Sequence, residues 1–159
     1  MYSCLKAKID DTDKTGGDKI MSISVVYWSG TGNTEAMANA VADGAKKAGA
    51  EAELLGCSDF SAAKVAEYDA IAFGCPAMGA EVLEESEIEP MFEACKGALN
   101  GKKIALFGSY GWGDGEWMRN WEEDCKAAGA ELACDSVMSN EGPGDAEVKS
   151  CEDLGAALA

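Results

Sequence analysis

From Met21 onward, short apolar runs alternate with stretches whose apolar residues recur at helical spacing. Residues 23–28 (ISVVYW) read as a first strand. Residues 34–48 read as a helix, because Met37, Val41, Ala45 and Ala48 fall on one face. Asn33 or Thr34 is expected to cap its start, and Gly49 suits its stop. The pattern then predicts a strand over 52–55, a short helix over 61–67 and a strand over 69–74. That third strand (DAIAFG) is nearly all apolar, which suits a strand covered on both faces. A helix follows over 87–99, with Pro90 tolerable only in its first turn. A strand over 102–108, a helix over 115–128, a strand over 131–137 and a helix over 145–158 complete the series. Five strands alternating with helices imply one parallel sheet with helices on both faces. In such sheets, ligands bind outside the carboxyl ends of the strands, where strand order reverses.

Residues 1–20 do not share this pattern. They hold four Lys and four Asp, no apolar run and no period. We read them as an extension, expected to be poorly ordered, ahead of a single domain over 21–159. They lack the apolar core of a secretory signal, and no run in the chain approaches the roughly 20 apolar residues of a membrane span. A cytoplasmic protein is the expectation.

Composition narrows the chemistry. The seven cysteines form no C-x-x-C pair and the chain has no histidine, which argues against a zinc site. Their odd number argues against a disulfide framework, so they read as buried thiols that pack like small apolar residues. The net charge is −16, and the first twenty residues contribute nothing to it. Such a surface repels nucleic acid and anionic membrane and attracts a basic protein patch.

Three loops follow strand ends. The first is Ser29-Gly30-Thr31-Gly32-Asn33-Thr34. Its glycines let backbone N–H groups turn inward at a helix N-terminus, and Ser29, Thr31, Thr34 and Asn33 add neutral donors. It lacks the Lys of a nucleoside-triphosphate loop and departs from the dinucleotide pattern, so a terminal monophosphate fits it best. The second loop runs through Pro76, Ala77, Met78, Gly79, Ala80 and Glu81. Met78 can lie flat on an aromatic ring, Gly79 frees a peptide to turn, and Glu81 can accept from a ring N–H. A Cys-x5-Arg phosphatase loop is excluded, because Glu81 stands where the Arg would be. The third loop, Ser109-Tyr110-Gly111-Trp112-Gly113, sets two aromatics among glycines. A flat ring held between Met78 and Trp112, with its phosphate tail in the first loop, accounts for all three.

The stretches WSGTGNTEAMA, GCPAMGAEVLEESE and ALFGSYGWGDGEWMRNW together resemble the short-chain flavodoxins of the clostridial and Megasphaera type, over residues 22–158. The resemblance implies a flavodoxin-like three-layer α/β sandwich with strand order 2-1-3-4-5 and one noncovalently bound FMN. It implies a low-potential one-electron carrier rather than an enzyme. Residues Ser29 to Thr34 would hold the phosphate, and Trp28 would lie near the phosphate and ribitol. Met78 would cover the inner flavin face, Trp112 the outer one, and Glu81 would accept from the flavin N3–H. The backbone of Ser109 to Gly113 would meet the pyrimidine end. Expected partners are reductases and ferredoxin-dependent oxidoreductases with basic docking patches, met by a monomer. A flavin-dependent quinone or disulfide reductase on the same fold is the alternative enzyme reading. A module that holds FMN or another phosphate ligand without redox turnover is a third.

In this family the Gly79 carbonyl would accept from N5 once one electron and a proton have been added. Residue 80 is Ala, where several relatives carry Asp, Asn, Ser or Gly. A turned peptide with positive φ at residue 80 costs Ala about 1–2 kcal/mol relative to Gly. Ala80→Gly is therefore expected to raise the fraction of flavin that accumulates in the one-electron-reduced form. Equal fractions in the two proteins, followed by visible absorbance during anaerobic reduction, would refute the strain.

Overall fold

The computed structural model describes residues 20–30, 32–77, 87–111 and 115–159. The expected extension over 1–20 therefore lies, apart from Ile20, outside the described residues. The apolar runs form strands β1 (Ser22–Tyr27), β2 (Glu51–Gly56), β3 (Ala70–Gly74) and β4 (Lys103–Tyr110), with β5 (Glu131–Leu132) and β6 (Val137–Asn140) after them. The amphipathic stretches form α1 (Asn33–Lys47), α2 (Ala62–Val65), α3 (Ile88–Cys95), α4 (Glu116–Ala127) and α5 (Asp145–Leu158). The sheet order is β2-β1-β3-β4-β5, as the family resemblance implies, and all pairs are parallel, as the alternation of elements implies. All five residues of β3 are buried, in keeping with its central place.

The side-chain period of two sorts the strands onto two unlike faces. Val26, Ile71, Phe73, Ile104 and Leu106 point to one face and meet Phe92 of α3 with Trp117 and Trp121 of α4. Phe73 and Phe92 meet edge to face at 5.4 Å, as do Phe92 and Trp121 at 5.7 Å. Ile23, Val25, Ala70, Ala72, Ala105 and Phe107 point the other way, toward α1 and α5. Small residues dominate there, and the helices approach each other closely. A Cβ on Gly44 of α1 would sit 2.0 Å from the Glu152 carbonyl oxygen, and one on Gly155 of α5 would sit 2.0 Å from that of Val41. Helix-interior glycines ordinarily weaken a helix; here they are what lets the two backbones touch.

Three boundaries differ from expectation. The helix expected over 61–67 shrinks to Ala62–Val65, and the one over 87–99 ends at Cys95 and tightens into a 3₁₀ turn over Lys96–Ala98. Pro90 does fall in the first turn of α3, where its missing N–H leaves no bond unmade. The single fifth strand expected over 131–137 is two pieces on β4. Ile104 pairs with Leu132 and Phe107 with Val137, so four residues of the outer strand face two of β4. The two surplus residues interrupt the pairing, and within this stretch the Ser136 hydroxyl donates to Glu122 Oε2 of α4 at 2.5 Å. The strand then runs on to Asn140, opposite Tyr110.

The described cysteines form no disulfide; five are buried and Cys134 is half-buried. Burial pushes the Cys95 thiol up to about 11, and pushes Cys125 and Cys151 up to about 12. They stay protonated at neutral pH and act as apolar filling.

The glycine crossing yields a test. Ala is the better helix former by about 1 kcal/mol, yet Gly155→Ala must drive a methyl into the α1 backbone. It is expected to destabilise by about 2 kcal/mol or more. An unchanged urea midpoint would show that the two helices separate freely.

Candidate functional site

The strands end on one side of the sheet, around a cleft of about 350 Å³. Its walls come from four segments: Trp28, Gly30 and Asn33 after β1; Pro76 and Ala77 after β3; Ser109, Tyr110 and Gly111 from the end of β4; and Glu141 after β6. The position is the one the topology assigns to ligands in parallel sheets.

The β1 loop is held from inside. The Trp28 backbone N–H donates to the Gly74 carbonyl at 3.1 Å, and the Trp28 ring lies over Gly30, whose added Cβ would sit 3.0 Å from it. Gly32 turns the chain into α1 with φ +96, a conformation that side chains resist. The sequence pointed to Asn33 or Thr34 as the helix cap. The structure puts Gly32 there instead, and no side chain caps through it. Ser29 Oγ takes the role from a distance, accepting from the Gly32 N–H at 3.0 Å and the Glu35 N–H at 3.3 Å. Two amides thus converge on the Ser29 oxygen at a helix N-terminus, which leaves its O–H as the group that can donate to an anion.

Thr34 and Ser109 are buried, and their hydroxyls meet at 2.9 Å, joining the start of α1 to the end of β4. Past its last paired residue, β3 stays bonded to β4: the Cys75 N–H donates to Phe107 at 3.2 Å and the Ala77 N–H to Ser109 at 2.9 Å. These bonds set the separation of the two walls that the sequence assigned to a flat ring. Of the residues picked from sequence, the structure brings Gly30, Asn33, Pro76, Ala77, Ser109, Tyr110 and Gly111 into the cleft wall; Ser29 and Gly32 are bonded to each other within the same loop, and Thr34 is bonded to the wall residue Ser109. Thr31, Met78, Gly79, Ala80, Glu81, Trp112 and Gly113 lie outside the described residues.

Glu141 is the wall residue that sequence reasoning missed. It has φ +60, the one non-glycine among the described residues with positive φ. Its N–H donates to the Tyr110 carbonyl at 2.7 Å, and its own carbonyl accepts from Ser139 Oγ at 3.1 Å. The signal lay in the turn composition of Asn140-Glu141-Gly142-Pro143-Gly144. The strand expected over 131–137 stops short of the cleft, whereas β6 carries the chain to Asn140 and sets this turn at its mouth. Among the described lining residues there is no Lys or Arg. No group of three or more His, Cys, Asp or Glu among the described residues is placed to hold a metal ion.

The cleft volume lies in the range of small-molecule sites. Trp28, Pro76, Ala77 and Tyr110 give it apolar walls, and the Ser29 hydroxyl at the N-terminus of α1 stands beside it as a neutral donor for an anion. This donor set fits a flat aromatic group carrying one phosphate. The sequence profile of the flavodoxin family matches residues 25–155. The chain belongs to the flavodoxin family. It is 47% identical to the flavodoxin of Megasphaera elsdenii over 137 residues, 86% of this chain and 98% of that protein. It is 43% identical to the flavodoxin of Clostridium beijerinckii, over 86% of this chain and 99% of that protein. The solution structure of the two-electron reduced Megasphaera elsdenii flavodoxin superimposes with a TM-score of 0.80 over 86% of this chain and 97% of that one. Flavodoxins are electron-transfer proteins that hold FMN, and this chain is one of them.

The backbone at Glu141 gives a prediction. A left-handed residue costs about 1–2 kcal/mol unless it is glycine, and glycine gives back about 0.5–1 kcal/mol in chain entropy. Glu141→Gly is expected to raise the stability of the cofactor-free protein by about 0.5–1 kcal/mol, read by urea denaturation. A loss of stability would show that the Glu141 side chain itself holds the loop.

Proposed function

We propose that this chain is a low-potential, one-electron carrier that seats the FMN phosphate in the loop over 29–34 and the ring between the loops over 76–81 and 109–113. The observation that carries this reading is the Ser29 hydroxyl, held at the N-terminus of α1 by the amides of Gly32 and Glu35, with its O–H left to donate beside an apolar cleft. When bound, FMN supplies the one-electron chemistry. The chain supplies placement and field.

The Ser29 hydroxyl and the positive end of α1 hold the phosphate with neutral dipoles, so the cradle adds no positive charge next to the ring. The three loops contain no Lys or Arg, while Glu81, Glu84, Glu85, Glu87, Asp114 and Glu116 fall in or beside them. With a net charge of −16, the protein opposes further negative charge in the cleft. That lowers the potential at which the final electron enters. The same field steers basic partners toward the cleft mouth and weakens with salt.

The chain acts as a carrier for other redox proteins and not as a reductase of small substrates, and it works as a monomer in the cytoplasm. Among the described residues, the exposed large apolar side chains are Ile20, Leu54 and Met138, each on a separate segment of the chain. Among the described residues, no helix is long and apolar enough to cross a membrane.

Binding of FMN and of riboflavin to the cofactor-free protein, followed by flavin fluorescence, tests the phosphate seat. Two or more hydrogen bonds to a charged group are expected to favour FMN by about 100-fold or more. Equal affinities would remove the loop over 29–34 from the site.

A further inference from the structure

Trp117 stands in the first turn of α4, is 1% exposed and does not line the cleft. It nevertheless touches the segments that supply two of the cleft's walls. Its indole Nε1–H donates to the Cys75 carbonyl at 3.2 Å, where β3 leaves the sheet just before Pro76 and Ala77. Its ring packs on Tyr110, with centroids 5.6 Å apart and planes tilted by 49°. The bond depends on a third residue, Gly108 of β4. A Cβ there would sit 2.1 Å from the Cys75 oxygen and 3.2 Å from the Trp117 ring, so only glycine leaves the carbonyl room to reach the indole.

We propose that Trp117 is a positioning residue for the cofactor: one indole fixes the exit of β3 and the seat of Tyr110, and so sets the gap into which the flavin ring enters. This rests on the FMN reading above. The alternative is that Trp117 is only core filling, as its burial alone would imply. The same helix provides the comparison. Trp121 is also 1% exposed, packs among Phe73 and Phe92, and has a buried Nε1 without a hydrogen-bond partner. A Trp→Phe change removes similar volume at both sites but removes a hydrogen bond to a cleft wall only at 117.

The test measures FMN dissociation constants and both one-electron midpoint potentials for the unaltered protein, Trp117→Phe and Trp121→Phe, beside the urea stability of each cofactor-free form. Trp117→Phe is expected to weaken FMN binding about fivefold, the equilibrium worth of one hydrogen bond, and to shift the potentials. Trp121→Phe is expected to lower stability while leaving affinity and potentials unchanged. Unchanged affinity and potentials in Trp117→Phe would overturn the inference and leave the functional reading standing. No FMN binding by the unaltered protein would sink both. Should Trp117→Phe fail to fold, hydrogen exchange of the Trp117 indole N–H in the unaltered protein decides. Coupling is reciprocal, so FMN must slow that exchange; equal rates with and without FMN would overturn the proposal.

Discussion

The cleft exists because the β3–β4 ladder continues after β3 has ended. Gly74 is the last paired residue of β3, opposite Phe107. The amides of Cys75 and Ala77 still reach the carbonyls of Phe107 and Ser109. Each such bond adds only about 1 kcal/mol net, but leaving a buried amide unpaired costs more, so the geometry is strongly enforced. The end of β1 is bonded to Gly74 through Trp28, and the turn after β6 to Tyr110 through Glu141. Four segments distant in sequence are thereby held at backbone hydrogen-bond spacing, with side chains free to face a ligand. Parallel strands make this possible, since every carboxyl end lies on the same side of the sheet.

The two faces of the sheet divide the remaining work. On one face, aromatic rings from α3 and α4 fill a deep layer and support the walls from below. On the other, alanines and the Gly44–Gly155 crossing draw α1 and α5 tightly together. The loop proposed to hold the phosphate leads into the N-terminus of α1, the helix gripped by that crossing. A rigid donor array loses little order on binding, which turns more of each contact into affinity. Tight packing far from the cleft is in this sense part of the site.

Much of this was legible in the sequence. The alternation of apolar runs and helical periods gave the element order, and the glycine- and hydroxyl-rich loop after the first strand does reach the cleft, through Gly30 and Asn33. What escaped depended on pairing. The two surplus residues between Leu132 and Val137 are visible only against the register of β4. With the strand ended too early, Glu141 was not placed at the cleft. Gly44 and Gly155 read singly as poor helix formers, because each owes its presence to the backbone of the other helix. Thr34 looked like a helix cap, but its hydroxyl serves Ser109, a residue 75 positions away. The residues assigned to the two ring faces, Met78 and Trp112, lie outside the described residues and rest on sequence and family alone.

The central claim is that an acidic, neutral-donor cleft turns FMN into a one-electron carrier. The most direct test is anaerobic titration of the FMN-loaded protein with dithionite, followed by visible absorbance. The account predicts two separate one-electron stages, with a long-wavelength band that rises and then disappears, and the second stage at much lower potential. Reduction in a single two-electron step, with no intermediate band, would contradict it and return the chain to the class of flavin reductases.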